Sequence, residues 1–406
     1  MNANAPVIRS FGDFFRFFIE ELKPRGPWLT PFNIISIPVI LAGVVILYFR
    51  FVYGLGAVTN LTQETAWGLW KGFNVVTGVA LAGGAYVITF VVYVMKVEKY
   101  HSIVRVTVLN GLLAYTFYAG ALLLELGRPW YALNPYIGNA FGFSSVLFLI
   151  CWHFALYMVA EFIEFSPVIA QWLNMEKARK VLKSLTLATV VFGITLSILH
   201  QSGLGGLFLM AKPKIHPLWW TEFIPILFFV SSVYAGLAMI IVEGTISRRV
   251  FKALIPHKDH ESFKEIIFGL AKGAAIVMFV YYFLKALLFI HDKQWELLTD
   301  GWGAWYLLEV IGFVLIPAMM FAFGFKHRSI SIIKIASVMA LVGILLNRLN
   351  ISIIAFNWFL VDHYYPSWQE YIVSLTVVFT QIWVLRWVIT RMPVFSSNRQ
   401  HATPEH

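Results

Sequence analysis

The sequence has little charge and almost no cysteine. Only 13% of its 406 residues are Asp, Glu, Lys or Arg, whereas a soluble globular domain carries roughly 25%. So few charged side chains cannot cover a water-facing surface of this size. A soluble enzyme, a disordered chain and a nucleic-acid-binding protein are therefore excluded as descriptions of the whole chain. The single cysteine, Cys151, permits neither an intramolecular disulfide nor a CxxC metal or iron–sulfur motif.

The chain instead contains long apolar runs, and apolar residues make up 59% of it. A membrane-spanning helix needs about 20 predominantly apolar residues. The sequence therefore predicts an all-α integral membrane protein with about ten transmembrane helices. The predicted spans are 33–53, 73–96, 103–125, 143–165, 183–202, 218–242, 263–290, 303–324, 332–355 and 367–390.

The chain divides into three parts on this pattern. Residues 33–390 form the predicted membrane domain, and residues 391–406 form a tail. Residues 1–32 precede the domain and contain FGDFFRFFIEEL, in which phenylalanines recur on one side of a helix and charged residues surround them. This pattern is typical of an amphipathic helix that lies in the membrane interface.

The basic residues predict the orientation of the spans. Of the 31 Lys and Arg residues, 21 lie in the termini and the even-numbered loops, and six lie in the odd-numbered loops. Basic loops stay on the cytoplasmic side. Both termini are therefore predicted to be cytoplasmic, in a bacterial inner membrane. The odd-numbered loops then face outward, and their many Trp residues indicate either an interfacial aromatic belt or a docking face for a partner.

Three charged residues fall inside consecutive spans at similar predicted depth. They are Lys285 in span 7, Glu309 in span 8 and Arg348 in span 9. A charge in the bilayer is costly unless it is paired or hydrated, so each is a functional candidate. Two interpretations remain open, namely part of a proton path and an ion-pair network that braces the bundle.

A second polar stripe follows span 4. His153, Tyr157, Glu161 and Glu164 recur at helical spacing and lead from mid-membrane towards the cytoplasmic side. Histidine and carboxylates exchange protons near neutral pH, so this stripe is also a candidate proton path. A set of satisfied core residues is the alternative.

Further polar residues lie near the outer ends of spans 2, 3 and 5, and their chemistry suits a quinol head group. They are Asn74, Glu125, Arg128, His200 and Gln201. A histidine can accept a proton from a quinol hydroxyl, and a cation can polarise a carbonyl. A secondary transporter or proton channel that acts alone would also place charges in the membrane.

Haem is not expected in this chain. Bis-histidine ligation needs two histidines at one depth on facing helices. The predicted spans place His153 mid-membrane and His200 at the outer end of span 5, about 15 Å apart in depth.

Several motifs resemble one family, the NrfD/polysulfide-reductase membrane subunits, in particular its ten-span HybB-like branch. The similarity covers about residues 35–390. The combination of HQSxxGxL with KxHPLW is specific. The motifs, in chain order, are RFVYGLGAVTNLTQETAWGLWKGFNVVTGVALAGGAYV at 50–87, HQSGLGGL at 200–207, KIHPLW at 214–219, VEG at 242–244, NRLNISIIAFN at 347–357 and YPSWQE at 365–370.

The resemblance implies a membrane anchor without haem, built from two four-helix bundles and peripheral helices. Such anchors exchange electrons between menaquinone, or another quinone, and a periplasmic iron–sulfur subunit. In such complexes a catalytic partner lies further out, beyond the iron–sulfur subunit. It is a molybdopterin enzyme, a nickel–iron hydrogenase or a multihaem cytochrome c. By motif position, the resemblance assigns the quinone to Asn74, Glu125, Arg128, His200 and Gln201, and partner docking to the region of Lys214 and His216.

The chain departs from the hydrogenase pattern in span 4. Leu149 stands where hydrogenase anchors carry a glutamate after the SVLF motif, with His153 one turn on. A hydrogenase and a cytochrome-fed quinone reductase therefore both remain open. So does an anchor whose quinone site has degenerated. On each of these interpretations the chain alone is not catalytic and contains neither a metal site nor an iron–sulfur cluster.

Overall fold

The computed structural model describes residues 11–25, 27–65, 67–138, 142–255 and 257–395. Within these ranges, ten helices are long and apolar enough to cross a membrane, and no strand is present. The predicted all-α membrane architecture is confirmed. Spans 1 to 10 are Pro31–Tyr53, Trp70–Val94, Glu98–Glu125, Val146–Trp172, Glu176–Lys214, Ile224–Val250, Glu261–His291, Gly301–Lys326, Ile330–Ile354 and Trp368–Arg391.

The spans form two four-helix bundles and a peripheral pair, as expected. Spans 2 to 5 contact one another in a ring, and spans 6 to 9 form a second ring. Spans 2 and 6 join the two bundles and are the most buried of the ten. In their most apolar stretches, 72% and 67% of the residues are buried inside the protein. Spans 1 and 10 pack against each other, and span 10 also contacts spans 2 and 3.

Small residues allow spans 2 and 6 to cross at backbone contact. A Cβ atom added to Gly236 would lie 2.1 Å from the backbone nitrogen of Gly84. Between membrane helices there is little hydrophobic driving force, so this close packing supplies much of the attraction. The AGGAY sequence of span 2 therefore sets the contact between the two bundles.

The N-terminal helix Phe11–Leu22 docks on the ends of spans 4 and 10. Phe17 packs against Trp172 at 5.0 Å between ring centroids. The indole of Trp387 donates to the Glu21 carbonyl at 2.9 Å. The helix is thereby held at the end of the molecule that carries most of the basic loops, called here the basic end. The opposite end, called the aromatic end, consists of the described residues of loops 54–69, 126–145, 215–223, 292–300 and 355–367.

Two features of the spans differ from the regular helices that the sequence predicts. Span 5 is much longer than predicted, because its helix continues through the GLGG run to Leu207 and a 3-10 turn extends it to Lys214. Short π-helical segments also interrupt spans 2, 3, 8 and 9. Such segments rotate side chains out of the regular register and are frequent at functional sites.

Candidate functional site

An aromatic cage surrounds the KIHPLW motif at the aromatic end. The ring of the buried His216 lies 5.2 Å from that of Trp302 and 4.7 Å from that of Trp358. Its Nδ1 accepts a hydrogen bond from the Leu218 amide at 3.3 Å. Burial lowers the pKa of His216, so the cage favours the neutral ring. The side chain of Lys214, by contrast, is exposed at the surface.

Glu309 stands at the centre of a hydrogen-bonded cluster in the second bundle. Its side chain is fully buried, and its Oε1 lies 3.5 Å from the Lys285 ammonium. Three neutral donors complete the shell. They are Asn347 Nδ2 at 2.7 Å, Asn350 Nδ2 at 2.6 Å and Trp219 Nε1 at 2.7 Å. The π-helical segments of spans 8 and 9 carry Glu309 and Asn350, so the irregular helices supply this geometry.

Arg348 extends this cluster to span 6. It donates to the Asn347 side chain at 2.8 Å and to Ser231 Oγ at 2.8 Å, and its guanidinium lies 3.6 Å from the centroid of the Phe228 ring. Lys285, Glu309 and Arg348 thus lie together, and four spans are tied through them. A buried carboxylate with this many donors is well compensated.

An ion pair closes the aromatic end of the first bundle. The Lys71 ammonium lies 3.3 Å from Oε1 of the buried Glu125. Nearby, Arg50 of span 1 donates to the Leu124 carbonyl at 2.5 Å. Arg128 does not join this group, because its side chain is exposed and stacks on the neighbouring Tyr131.

The side chain of His200 lies in the core of the first bundle among aromatic rings. Its ring lies 5.5 Å from that of Tyr115 and 6.0 Å from that of Phe154. Among the described residues, no partner meets ordinary hydrogen-bond geometry at either ring nitrogen of His200, and the nearest backbone acceptor is the Ile150 carbonyl of span 4. Its neighbour Gln201 is satisfied, since Nε2 donates to the Val79 carbonyl at 2.9 Å.

Asn74 is likewise buried without partners. Its side chain is completely buried on the π-helical segment of span 2, one turn below Lys71. No hydrogen bond to its amide group is formed within the described part of the chain. Buried polar groups in native proteins nearly always have partners, so such groups call for a water, an ion or a ligand. The first bundle therefore contains unsatisfied polar groups, in contrast to the saturated shell of Glu309.

The expected depth difference between the two histidines is wrong. Because the helix of span 5 continues to Leu207, His200 lies seven residues inside it, and His153 lies seven residues inside span 4. Both are about 10 Å from their helix ends. Equal depth does not make a haem site, however. The rings of Tyr115 and Phe154 occupy the space beside His200 that a porphyrin would need, so the arrangement does not fit haem. The described residues contain no group of three or more His, Cys, Asp or Glu side chains arranged to hold a metal.

The polar stripe of span 4 begins at an aromatic pair. The rings of Tyr115 and Tyr157 are 4.6 Å apart, and Tyr157 faces the buried Glu161. Glu164 follows one turn further towards the basic end, beside Gly193 of span 5. His153 is only half-buried. Of the two histidines, His200 is the one whose ring packs against Tyr115 at the head of the stripe.

A cavity of about 390 Å³ opens at the aromatic end between loops 54–69 and 355–367 and the adjoining ends of spans 8, 9 and 10. Trp67, Trp302, Tyr364 and Tyr371 are among its lining residues. The Trp67 ring packs 5.2 Å from that of Phe208, which lies two turns beyond His200 on span 5. The cavity therefore adjoins the packed region that contains the unsatisfied polar groups.

The sequence pattern does not predict the partners of four residues in these clusters. Lys71, Tyr115 and Trp219 were not expected to pair with Glu125, His200 and Glu309. Glu243 belongs to the VEG motif, and its Oε2 accepts a hydrogen bond from Asn110 Nδ2 at 2.5 Å within span 6. A carboxylate in a span is itself a signal, whereas the partners of the other three depend on helix rotation.

Comparison with known proteins gives consistent results. A protein of Nitratidesulfovibrio vulgaris is 39% identical over 93% of this chain and 97% of its own length. The probable Ni/Fe-hydrogenase 2 b-type cytochrome subunit of Escherichia coli is 25% identical over 92% of this chain and 96% of its own. The integral membrane subunit of menaquinone reductase from N. vulgaris is 25% identical over 84% and 86%. The family described as "Polysulphide reductase, NrfD" matches residues 57–361, three quarters of the chain. The chain is therefore a multi-pass membrane protein that belongs to the NrfD family.

Proposed function

We propose that this chain is the quinone-interacting membrane subunit of a respiratory oxidoreductase. It would exchange electrons between menaquinone, or a related quinone, and an iron–sulfur subunit docked at the aromatic end, which would face the periplasm. The observation that carries the proposal is the pair of buried, unpartnered polar side chains, Asn74 and His200, in one bundle near that end. The names of two relatives, a menaquinone reductase subunit and a hydrogenase subunit, support the same class.

The residues of the first bundle have the chemistry that a quinone head group requires. When bound, a quinol supplies two electrons and the two protons of its hydroxyl groups, and the oxidised quinone takes both up at its ring oxygens. A neutral imidazole has one lone pair to accept a proton from a hydroxyl, and a primary amide can donate to a carbonyl. His200 and Asn74 each have these groups free within the described structure. Lys71, paired with Glu125 one turn above Asn74, would add positive charge for the reduced ring oxygens.

The cavity at the aromatic end offers a route for the ring from the membrane. Its lining combines aromatic side chains with Leu349, Ile353 and Ile354 of span 9, of which Ile354 is exposed on the outside of the bundle. Such an aromatic and apolar lining suits a planar ring with an isoprenoid tail. Trp67 stands between this cavity and Phe208, so movement of its indole would admit the ring towards the first bundle.

The outer subunits would bind at the exposed part of the aromatic end. Lys214 is exposed there, while His216 is buried in the cage beneath it. Lys214 would therefore contact the iron–sulfur subunit directly, and His216 would hold the loop in position. A molybdopterin enzyme, a nickel–iron hydrogenase or a multihaem cytochrome c would bind further out.

A stand-alone transporter or proton channel is the competing function. Its polar site would also be buried, but it would need no partner. Gentle purification from native membranes, followed by mass spectrometry of proteins and lipids, separates the two functions. An iron–sulfur protein and bound quinone would support the electron-transfer role. A chain that purifies alone without quinone, and that catalyses flux in liposomes, would contradict it.

Variants in the purified complex test the site itself. His200→Ala and Asn74→Leu should each lower quinone-linked electron transfer at least tenfold, with assembly unchanged. Leu199→Ala is the matched control, because this neighbouring side chain points away from the bundle and is 45% exposed. Normal activity in both site variants would refute the assignment.

A further inference from the structure

A small cavity lies between spans 2, 3, 6 and 10, near the middle of the membrane. Its volume is about 20 Å³, which is enough for one water molecule. Five of its lining side chains are polar, namely Thr107, Asn110, Tyr118, Glu243 and Gln381. The Thr107 hydroxyl donates to the Ile103 carbonyl at 2.9 Å. Asn110, Glu243 and Gln381 come from three different spans and can form hydrogen bonds with such a water.

Two acceptor atoms beside this cavity have no hydrogen-bond donor among the described residues. Asn110 donates to Oε2 of Glu243 at 2.5 Å. Oε1 of Glu243 and Oε1 of Gln381 are both buried, and neither has a partner among the described residues. Gln381 is 6% exposed, so bulk water does not reach it. Two orphaned acceptors beside a water-sized cavity match the two O–H donors of one water molecule.

A second carboxyl group lies on the other side of span 3. A Cβ atom added to Gly111 would lie 2.5 Å from Oε1 of Glu161 and 2.6 Å from Cβ of Ala85. Gly111 and Ala85 also line the cavity. The absence of a side chain at Gly111 therefore leaves the Glu161 carboxyl against the wall of the cavity that holds Glu243.

We propose that Glu161, one water molecule and Glu243 form a proton relay through the gap at Gly111. The acid form of Glu161 gives its proton to the water, and the water passes one of its own protons to the Glu243 carboxylate. Glu161 then carries the negative charge and Glu243 is neutral, so no net charge is created and no electron moves. The bilayer tolerates one shared charge more readily than two.

The relay would connect the two bundles. On one side, Tyr115, Tyr157 and Glu164 surround Glu161. On the other, Glu243 lies seven residues from the basic end of span 6, and Arg248 is the charged group nearest along that helix. A proton released at the proposed quinone site would thereby reach the second bundle. This last step rests on the proposed function, whereas the relay between the two carboxyl groups does not.

Infrared spectroscopy of the purified protein tests the relay without any quinone. Protonated carboxyl groups give C=O bands that shift in D₂O. Glu161→Gln should remove the band of the protonated acid, and Glu243→Gln, which replaces the carboxylate partner, should shift that band, because the two groups share a water molecule. Gln381→Leu, which removes an acceptor and no acid, should shift the same band. Glu296→Gln, at an exposed carboxylate, should change nothing in this region.

Two results would overturn the relay. One is a Glu161 band that stays in place in both Glu243→Gln and Gln381→Leu. The other is the absence of any protonated carboxyl band that Glu161→Gln removes. A transport measurement in liposomes containing the complex gives a second readout. There Glu243→Gln should cut proton translocation per electron at least tenfold while electron transfer continues, and equal translocation would refute the link between the relay and the proposed quinone site.

Discussion

The saturated shell around Glu309 predicts that this residue braces the second bundle. Replacing Glu309 by Gln keeps the shape but removes the charge opposite the buried Lys285. One of its two oxygens also becomes an NH₂ group that faces other donors. If it is Oε1, the Asn347 amide loses its acceptor; if it is Oε2, Trp219 and Asn350 lose theirs.

The magnitude follows from the geometry. At 3.5 Å, the attraction between the charges is about 5 kcal/mol for an effective dielectric constant of about 20. Removing one partner of a buried pair typically costs about 3–5 kcal/mol, because the other charge is left uncompensated. Lys285→Met should cost less than Glu309→Gln, since Glu309 keeps three neutral donors and Arg348 close by. The double variant Lys285→Met/Glu309→Gln should lose about 1–3 kcal/mol less unfolding free energy than the sum of the two single losses.

Reversible unfolding in mixed micelles with increasing dodecyl sulfate measures these free energies. The 15 Trp residues supply a fluorescence signal. Glu296→Gln is the control, since it makes the same chemical change at an exposed carboxylate of the aromatic end. A loss for Glu309→Gln no greater than for the control, or zero coupling in the cycle, would refute the bracing role. Native stability combined with lost proton translocation would favour a proton path instead.

Three further predictions concern packing, anchoring and pH. Gly236→Ala should destabilise the protein by about 3 kcal/mol, because its Cβ would overlap span 2. Gly273→Ala is the control, since its Cβ would lie 3.4 Å from a side chain, and it should change the unfolding free energy by less than about 1 kcal/mol. Similar losses for the two variants would contradict the packing argument. Arg50→Lys should cost about 1.5–3 kcal/mol in the same assay, because one ammonium cannot serve both carbonyls that the guanidinium reaches; an unchanged midpoint would show that the anchor is dispensable. Burial lowers the pKa of His216 below its ordinary value of about 6.5, so the unfolded chain takes up a proton first as pH falls. The free energy of unfolding should therefore decrease below about pH 6.5, and His216→Phe should flatten that dependence.

Much of the fold follows from the sequence because membrane constraints are strong. A helix must be long and apolar to cross the bilayer, and basic loops have a preferred side. The ten spans therefore emerge from hydropathy alone. The end of span 5 does not, because glycines that break helices in water are tolerated in membrane helices. His200 for that reason lies deeper than the sequence indicates.

The candidate site divides in a similar way. Sequence alone identified Glu309, Lys285 and Arg348 as costly charges, and it identified the family through its motifs. Tertiary structure decided which polar groups are satisfied. Glu309 has its donors because π-helical turns rotate Asn350 towards it, while Asn74 and His200 have none among the described residues. The tertiary structure also places Glu161 against Gly111, opposite Glu243. Such distances depend on helix rotation and crossing, which hydropathy does not encode, because many rotations bury similar apolar area.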